Sequence, residues 1–567
     1  MTPALLHAAD LAALTAGYWA VDRLLRRDGY VRLMTRLGAA RPDLQVAVFA
    51  VPWLALAPSW RWEAIPQGGV LRIFALFLVA ILAWKATTRD IDLVIGQRHV
   101  LARWLLVGSV PLLWTSPAFL PLAALLLTQP FGLWEHHATF PMRVTQALVA
   151  YACLAGALGP TPLFGDATAL LFFVLVIQIS HYLITALAKC LLGPKWTSWV
   201  RDNKLHHMAA SAYSWGWARF FPWSRWRRVI DGLKAVEKPL QLTTFGIELL
   251  APLALLHPTA AIGFCLAWCA FHLGVFAVSG LLFWDWILTN LSIAVLVSSI
   301  PPPIAEQAFG PWSMLAGLLF LLLFPLRHKL WTPMPLGWFD SPFTQRIHWQ
   351  VEGESGKLYG LYNDFMCPHE RLYGKVHGCF LAPVPVVTYH LGEVWKPELR
   401  DAIRAAGPSL ERLEGVRRRF GIEPKNAPMA ARHEQYLRRF FHELNRGARK
   451  HVLPRPLRFL KAPGDQIFYW GDLPRYRGQE KVRKVVLRYR EEYFDGAELR
   501  RLRDEPVLEI DLEVGPVPEP VRELTPKEID DYLLRLAKGK LIDLPGAGGG
   551  YVKTDDGKVQ PLSPRAR

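Results

Sequence analysis

Long apolar runs alternate with short polar or basic segments from about residue 46 to residue 326. Apolar runs occupy residues 46–58, 69–84, 101–129, 145–159, 167–189, 245–256, 260–284, 287–300 and 313–326. The first run is short and interrupted by Pro52, so the pattern predicts roughly eight membrane spans. Pro111 and Pro117 predict that 101–129 is a broken helix or a tight helical pair. The region is therefore predicted to be an all-α membrane bundle.

The pattern changes near residue 327. Residues 344–365 alternate around a glycine-containing turn, which predicts a β-hairpin. Further predicted elements are helices at 398–421, 430–452 and 524–540 and strands at 481–494 and 505–514. The fold class is thus a membrane helical bundle followed by a soluble α+β domain.

Four segments follow from these patterns: an amphipathic N-terminal segment at 1–45, a polytopic transmembrane domain at 46–326, an α+β domain at 327–544 and a disordered tail at 545–567. Basic residues clustered at 23–36 predict that the N-terminal helix lies at the membrane interface, or packs on the bundle as an ordinary helix. The tail is rich in glycine and proline, which predicts disorder.

Composition agrees with a membrane protein. The chain has 567 residues, 52% of them hydrophobic, and a net charge of +17. Basic loops between the apolar runs follow the positive-inside rule, which predicts a multi-pass inner-membrane protein with a cytoplasmic C-terminal domain. The N-terminus lacks the pattern of a cleaved signal peptide. The lipid bilayer is the expected partner. Nucleic acid is not expected, because the chain carries no recognition motif for it. Whether a protein partner binds is left open.

One apolar run carries a polar stripe. Gln178, His181, Thr185 and Lys189 are spaced three, four and four residues apart, so a helix places them on one face. Ionisable groups inside a membrane segment are costly and are functional candidates. Alternatively, Lys189 lies near the helix end and extends to the interface.

Other polar groups in the apolar region are Glu248, His272, Asp285 and Asn290. Glu248 is expected to pair with Lys189 or with a histidine, or to act as interhelical hydrogen-bonding glue. We favour functional roles for Lys189 and His272.

Two groups of residues raise the question of a metal. The first is the adjacent pairs His136–His137 and His206–His207, which lack the HxxxH and HxxHH spacing of membrane di-iron enzymes. The second is Cys367, His369, His377 and Cys379, whose C-x-H and H-x-C spacing differs from that of common zinc sites. We therefore assign no metal ligand. The irregular segment 463–479, rich in aromatic, acidic and glycine residues, is either a functional loop closing on the membrane face or a packed turn.

The segment YLITALAK followed by Trp196 resembles the YFxAGxKK…W segment of the vitamin K-dependent γ-glutamyl carboxylases. The wider group is the horizontally transferred transmembrane (HTTM) domain proteins, whose apolar helix and Phe-His pair resemble IELLAPLALL and CAFHLGVF here. The resemblance implies that Lys189 is the base that deprotonates a reduced quinone, with oxygen then producing a stronger base. Leu183 and Leu187 depart from that pattern.

Three hypotheses follow. The first is a quinone- or lipid-linked, carboxylase-like enzyme with Lys189, His181 and His272 as catalytic residues and Gln178, Glu248 and Trp196 as cofactor-binding residues. The second is a non-catalytic membrane anchor whose soluble domain binds a partner. The third is a membrane metalloenzyme that uses the histidine pairs.

Overall fold

The computed structural model describes residues 3–25, 42–91, 93–94, 100–128, 140–158, 163–327, 329–333, 335–362, 365, 388, 390–420, 427–514, 551–553 and 559–561. The helices are α1 (Pro3–Leu25), α2 (Pro42–Leu56), α3 (Gly68–Thr87), α4 (Val100–Leu112), α5 (Phe119–Thr128), α6 (Phe140–Leu158), α7 (Thr168–Cys190), α8 (Ser198–Asp202), α9 (Leu205–Trp215), α10 (Trp223–Leu249), α11 (Pro258–Ser279), α12 (Trp284–Ser299), α13 (Pro302–Ala308), α14 (Pro311–Leu323), α15 (Pro397–Ala406), α16 (Leu410–Phe420) and α17 (Ala427–Asn445). The strands are β1 (Phe339–Asp340), β2 (Phe343–Gly353), β3 (Leu358–Leu361), β4 (Glu393–Val394), β5 (Val482–Phe494), β6 (Leu499–Asp511), β7 (Tyr551–Lys553) and β8 (Val559–Pro561).

Among the described residues, three helices, α3, α7 and α11, are long and apolar enough to cross a membrane. A fourth span results if α12 and α13, which are bent by 117° at their junction, form one broken span. The prediction of roughly eight spans is therefore wrong in number, although the apolar helices support membrane association.

Length explains much of the difference between predicted and observed spans. Helix α5 has 10 residues, which at 1.5 Å per residue extend about 15 Å, half of a hydrocarbon core of about 30 Å. Every residue of α5 is buried in the bundle, so its apolar character serves internal packing. The break predicted within 101–129 is confirmed, because α4 ends at Leu112 and α5 begins at Phe119. The run 245–256 is not a separate span, since it joins the end of α10 to a 3-10 turn, Ala251–Leu255.

Helix α7 is the centre of the bundle. Of its apolar window 89% is buried, compared with 50% for α3 and 28% for α11. It contacts α1, α6, α10 and α14. Helix α1 packs on the bundle as well, and Tyr18 Oη donates to Gln146 Oε1 on α6 at 3.1 Å. The alternative of an ordinary packed helix therefore describes α1, whereas the basic residues at 26–36 lie outside the described residues.

The main sheet is antiparallel, with the strand order β3-β2-β5-β6. Strands β2 and β3 form the predicted hairpin. One face of the sheet packs on α17 through an apolar cluster that includes Trp349, Val485 and Phe440. On strands β2 and β5 the opposite face carries polar side chains, among them Arg346 and, directly across from it, Arg490.

The C-terminal part is docked onto the helical bundle. Residues 463–479 lie alongside the turn between α11 and α12. There, Leu282 N–H donates to Asp465 O and Ile467 N–H donates to Gly280 O, both at 2.9 Å. Trp470 N–H also donates to Gly216 O at 3.2 Å. Segment 463–479 thus packs on the ends of the apolar helices, an arrangement that both the functional loop and the packed turn predict.

Two predictions concern the C-terminal end of the chain. The predicted helix at 524–540 lies outside the described residues. Within the tail predicted to be disordered, β7 pairs with β8 in an antiparallel register. The β-branched valines 552 and 559 in these strands favour the extended backbone.

Candidate functional site

The polar stripe of α7 lies inside the protein. Gln178, His181, Thr185 and Lys189 are each at most 5% exposed. Lys189 therefore does not extend to the surface, and each polar group must be satisfied by neighbouring helices or by a ligand. The neighbours differ along the stripe: its first half faces α11 and α12, whereas Lys189 faces α10.

A run of hydrogen bonds crosses three helices at the first half of the stripe. Gln178 Nε2 donates to Asn290 Oδ1 at 2.7 Å, and Asn290 Nδ2 donates to Tyr182 Oη at 2.8 Å. Tyr182 Oη lies 3.0 Å from His272 Nε2. The tyrosine hydroxyl accepts from the asparagine, and its proton has no acceptor other than His272 Nε2 within hydrogen-bond distance among the described residues. We therefore assign the hydroxyl proton to that bond, which places the imidazole proton on Nδ1.

We call Gln178, His181, Tyr182, His272 and Asn290 the polar cluster. Aromatic rings surround it: Tyr182 is stacked on Trp268 with 4.0 Å between ring centroids. Trp286 contacts both imidazoles, with centroid distances of 5.2 Å to His181 and 5.5 Å to His272. The polar cluster is thus enclosed by planar apolar surfaces.

Three buried polar atoms of the cluster have no hydrogen-bond partner among the described residues: His181 Nε2, His272 Nδ1 and Gln178 Oε1. An unsatisfied buried polar atom costs about 1–3 kcal/mol. Two of these atoms belong to imidazoles that contact the same tryptophan. Because buried polar groups in proteins are normally paired, such atoms make the cluster a candidate ligand site.

Two turns along α7 from the cluster, Lys189 forms an ion pair. Its Nζ lies 2.5 Å from Glu248 Oε2 on α10, and both side chains are almost fully buried. The ammonium also lies 4.4 Å from the ring centroid of Trp199. The pairing expected of Glu248 is therefore present, and it joins the central helix to α10.

A second buried ion pair involves Asp285. Lys85 Nζ, near the end of α3, lies 2.9 Å from Asp285 Oδ2 on α12 and 3.0 Å from Asp465 Oδ1. This contact fixes segment 463–479 against two apolar helices. Asp285 thus has a clear structural role at the end of the bundle.

The remaining predicted site residues lie apart from the polar cluster. Trp196 is 62% exposed and contacts Phe245. His206 Nδ1 lies 2.7 Å from Glu237 Oε2, whereas His207 Nδ1 lies 3.3 Å from the Asp340 carbonyl oxygen. The adjacent histidines therefore bind different partners.

The environment of His206 and His207 shifts several pKa values. Burial is the main reason, and the nearby His206 the second, why the pKa of His207 lies well below its usual range. Burial also raises the pKa of Asp340 to about 7, against the hydrogen bonds from Asn203 and Trp338. His207 is thus neutral at physiological pH.

Within the described ranges, no group of three or more His, Cys, Asp or Glu residues is arranged to hold a metal ion. His136 and His137 lie outside those ranges, as do Cys367, His369, His377 and Cys379. The metal hypotheses for them stay predictions.

The sequence reading omitted the central member of the cluster. Tyr182 is four residues after Gln178 and seven before Lys189, so it fits a helical stripe as well as His181 does. The candidates chosen from the sequence did not include Tyr182, whose hydroxyl group joins three helices. Trp286 was also omitted, because nothing in its local sequence shows that two histidines lie beside it.

Comparison with known proteins adds no relative: no protein-family model matches this chain, and no curated protein or solved structure is similar to it.

Proposed function

We propose that this chain is a membrane enzyme whose polar cluster binds the ring of a lipid-soluble substrate and exchanges a proton with it. One observation carries the proposal: the hydrogen-bonded run Gln178–Asn290–Tyr182–His272 ends at an imidazole nitrogen, His272 Nδ1, that is buried and lacks a partner in the described chain. A proton held at the end of such a run is positioned for transfer.

The residues present fit a reduced quinone, the cofactor that the carboxylase resemblance implies. His181 and His272 would contact its ring oxygens, and Trp286 would pack against its ring. When bound, a reduced quinone supplies an ionisable hydroxyl group in an apolar site. The fit rests on the unpartnered imidazole nitrogens and on the tryptophan that contacts both rings.

His272 and Tyr182 have different roles in the proposed proton exchange. When the bound ring oxygen is an anion, His272 Nδ1–H would pass its proton to that oxygen while Nε2 takes the hydroxyl proton of Tyr182, 3.0 Å away. The reverse of these two transfers would take a proton from a ring hydroxyl group. Asn290 Nδ2 donates to Tyr182 Oη and stabilises the negative charge left there. The aromatic surroundings exclude water and thereby strengthen these interactions.

The ion pair with Glu248 determines the role that we propose for Lys189. To act as the base that the resemblance implies, the Lys189 ammonium must first pass its proton to Glu248, 2.5 Å away. We therefore assign proton exchange with the substrate to His272. Lys189 and Glu248 are positioning residues that hold α7 against α10.

We also propose an orientation. Lys85 near the end of α3, residues 280–284 after α11, and Ala188 near the end of α7 all contact the C-terminal part of the chain. The three candidate spans thus point their C-terminal ends to one side. The basic loops on that side favour several passes through an inner membrane, with the C-terminal part in the cytoplasm.

The test is the identity of the molecules that co-purify with the chain. We would purify the full chain in lipid nanodiscs and identify bound lipids, quinones and metals by mass spectrometry. Wild type would be compared with His272→Gln, Lys189→Ala and a control, His257→Gln, which alters an exposed histidine. We expect a quinone-class molecule in wild type and the control, and its loss in His272→Gln.

The outcomes separate the hypotheses. A quinone-free wild type that still folds supports the alternative of a non-catalytic anchor, in which the polar cluster only joins helices. Retention of the quinone in His272→Gln contradicts a site at the polar cluster. A stoichiometric metal supports the metalloenzyme alternative.

A further inference from the structure

A cavity separates segment 463–479 from the polar face of the main sheet. Its volume is about 60 Å³, and its polar lining includes Arg219, Arg346, His348, Asp472 and Arg490. We call it the arginine cavity. At 10–15 Å³ for one water, it has room for roughly four water molecules, or for one compact tetrahedral anion.

Positive charge is in excess in the arginine cavity, because three guanidinium groups face one carboxylate. Asp472 is shared between Arg219 and Arg490, and lies 2.9 Å from the latter. Arg490 also pairs with Asp504 at 2.7 Å. Arg346, in contrast, forms no ion pair or hydrogen bond with any residue that the structure describes, and its Nε is buried without a partner.

The position of Arg346 is unfavourable without an anion. It lies directly across from Arg490 in the antiparallel register, and like charges at such positions destabilise a sheet. Burial, followed by the neighbouring Arg490, lowers the pKa of Arg346 to about 10, so the side chain keeps its charge at neutral pH. The nearby carboxylates of Glu492 and Asp472 attract this charge, but Arg346 forms an ion pair with neither.

A second unpartnered donor lies beside Arg346 on the same face of β2. His348 Nδ1 is buried and has no partner in the described ranges. Burial and the adjacent arginines hold the pKa of His348 well below its usual range. The ring is therefore neutral, and a neutral imidazole offers one N–H donor.

The arginine cavity lies where an apolar helix ends. Its lining residue Phe468 follows Ile467, which is hydrogen-bonded to Gly280 directly after α11. Beside Arg219, Phe220 is 51% exposed and contacts Trp470, with 4.8 Å between the tilted rings' centroids. Aromatic and basic residues are typical of the headgroup level of a membrane.

The geometry points to a phosphate-binding site in the arginine cavity, where Arg346 and His348 donate to the oxygens of a phosphate group that offsets the charge of the three arginines. Arginine is suited to phosphate because its planar guanidinium donates two parallel hydrogen bonds. A phosphate monoester carries a charge of about −1.5 to −2, which would give Arg346 the ion-pair partner that it lacks among the described residues. The group belongs either to a soluble phosphate compound or to a lipid headgroup at the end of α11.

Thermal unfolding of the full chain in nanodiscs tests this site. Two arms are needed: inorganic phosphate added to phosphatidylcholine nanodiscs in chloride buffer, and nanodiscs containing phosphatidic acid without added phosphate. The variant is Arg346→Gln. Its control is Arg483→Gln, on the neighbouring strand β5, 47% exposed and paired with Glu352. Losing one charge-assisted contact should weaken binding by roughly 10- to 100-fold.

We expect a saturable rise in the unfolding temperature of wild type and Arg483→Gln in at least one arm, and none in Arg346→Gln. The arm that responds identifies the source of the phosphate. Without phosphate, Arg346→Gln should unfold at the same or a higher temperature than wild type, because the repulsion by Arg490 is removed. No response of wild type in either arm, or an equal response of Arg346→Gln, would overturn the proposal.

Discussion

Tyr182 Oη lies 3.0 Å from His272 Nε2, although the two residues are 90 positions apart in the chain. The contact joins the central helix α7 to α11. It also determines the tautomer of the imidazole, because Asn290 donates to the same hydroxyl group. From this contact, and from three others, specific experiments follow.

Replacing Tyr182 by phenylalanine should keep the stacking on Trp268 but leave Asn290 Nδ2 and His272 Nε2 unpaired. We expect the free energy of unfolding to fall by about 1–3 kcal/mol. Nitrogen-15 NMR of labelled histidine should show the Nδ1–H tautomer of His272 in wild type and a tautomer mixture in Tyr182→Phe.

The control for that experiment is Tyr151→Phe. Tyr151 is fully buried, and its hydroxyl donates only to the Asp166 carbonyl oxygen, at 3.0 Å. Its loss should cost about 1 kcal/mol and leave the His272 tautomer unchanged. An unchanged tautomer in Tyr182→Phe as well would contradict the proposed relay.

Single substitutions of the Lys189–Glu248 pair should destabilise the chain strongly. Lys189→Met leaves a buried carboxylate without its partner, and Glu248→Leu leaves a buried ammonium, each at a cost of about 3–5 kcal/mol. The double variant should recover most of this loss, because it buries no charge. Thermal unfolding in nanodiscs measures the cycle.

Activity of the double variant then separates the two roles of Lys189. A positioning role predicts that a folded double variant keeps its quinone-class ligand. Loss of turnover in a stable, ligand-bound double variant would instead show that Lys189 is the base that the carboxylase resemblance implies.

Stability should depend on pH through Asp340. Burial raises the pKa of its carboxyl group from 3.8 to about 7, so the folded chain keeps a proton that the unfolded chain loses above about pH 4. This contribution is complete below pH 4 and is lost as the pH rises toward 7. The slope is at most about 1.4 kcal/mol per pH unit.

Asp340→Asn removes this titration while keeping the size of the side chain. We expect wild type to lose roughly 2 kcal/mol relative to Asp340→Asn between pH 5 and pH 7. Chemical denaturation at each pH measures the difference. Parallel pH profiles for the two proteins would refute the assignment to Asp340.

Gly216 controls the docking of segment 463–479. Its φ is +106°, and a Cβ built there would lie 2.4 Å from Trp470 O. Gly216→Ala should therefore strain the backbone and break the hydrogen bond from Trp470 N–H, at a cost of about 1–3 kcal/mol. Limited proteolysis should then cut within 463–479. Gly232→Ala, in open space on α10, is the control, and equal cleavage in both variants would argue against this contact.

Local patterns predicted the elements of the C-terminal part well. Alternating residues around a glycine turn predicted the hairpin of β2 and β3. The single helix predicted at 398–421 is instead two helices, because α15 ends at Ala406, before Gly407 (φ +61°), and α16 begins at Leu410. These features depend on neighbours in the chain, and a sequence displays neighbours directly. Strand β6 begins earlier than predicted, at Leu499, because pairing with β5 extends it through a charged stretch.

Hydropathy identified apolar helices but overestimated the number of spans. A helix buried among other helices is as apolar as one facing lipid, as α5 shows with every residue buried. The amount of apolar sequence therefore does not distinguish an internal helix from a span. Length and burial make that distinction, and burial is known only after folding.

The sequence by itself determined that an apolar helix carries Gln178, His181 and Lys189, because helical periodicity is a property of local spacing. Only the tertiary structure decided what these residues do. It joined Gln178 to Asn290 and Tyr182 to His272, closed Lys189 onto Glu248, and placed Arg346 opposite Arg490. Such partners are distant in the chain, and their meeting depends on how whole helices and strands pack, which local spacing does not encode.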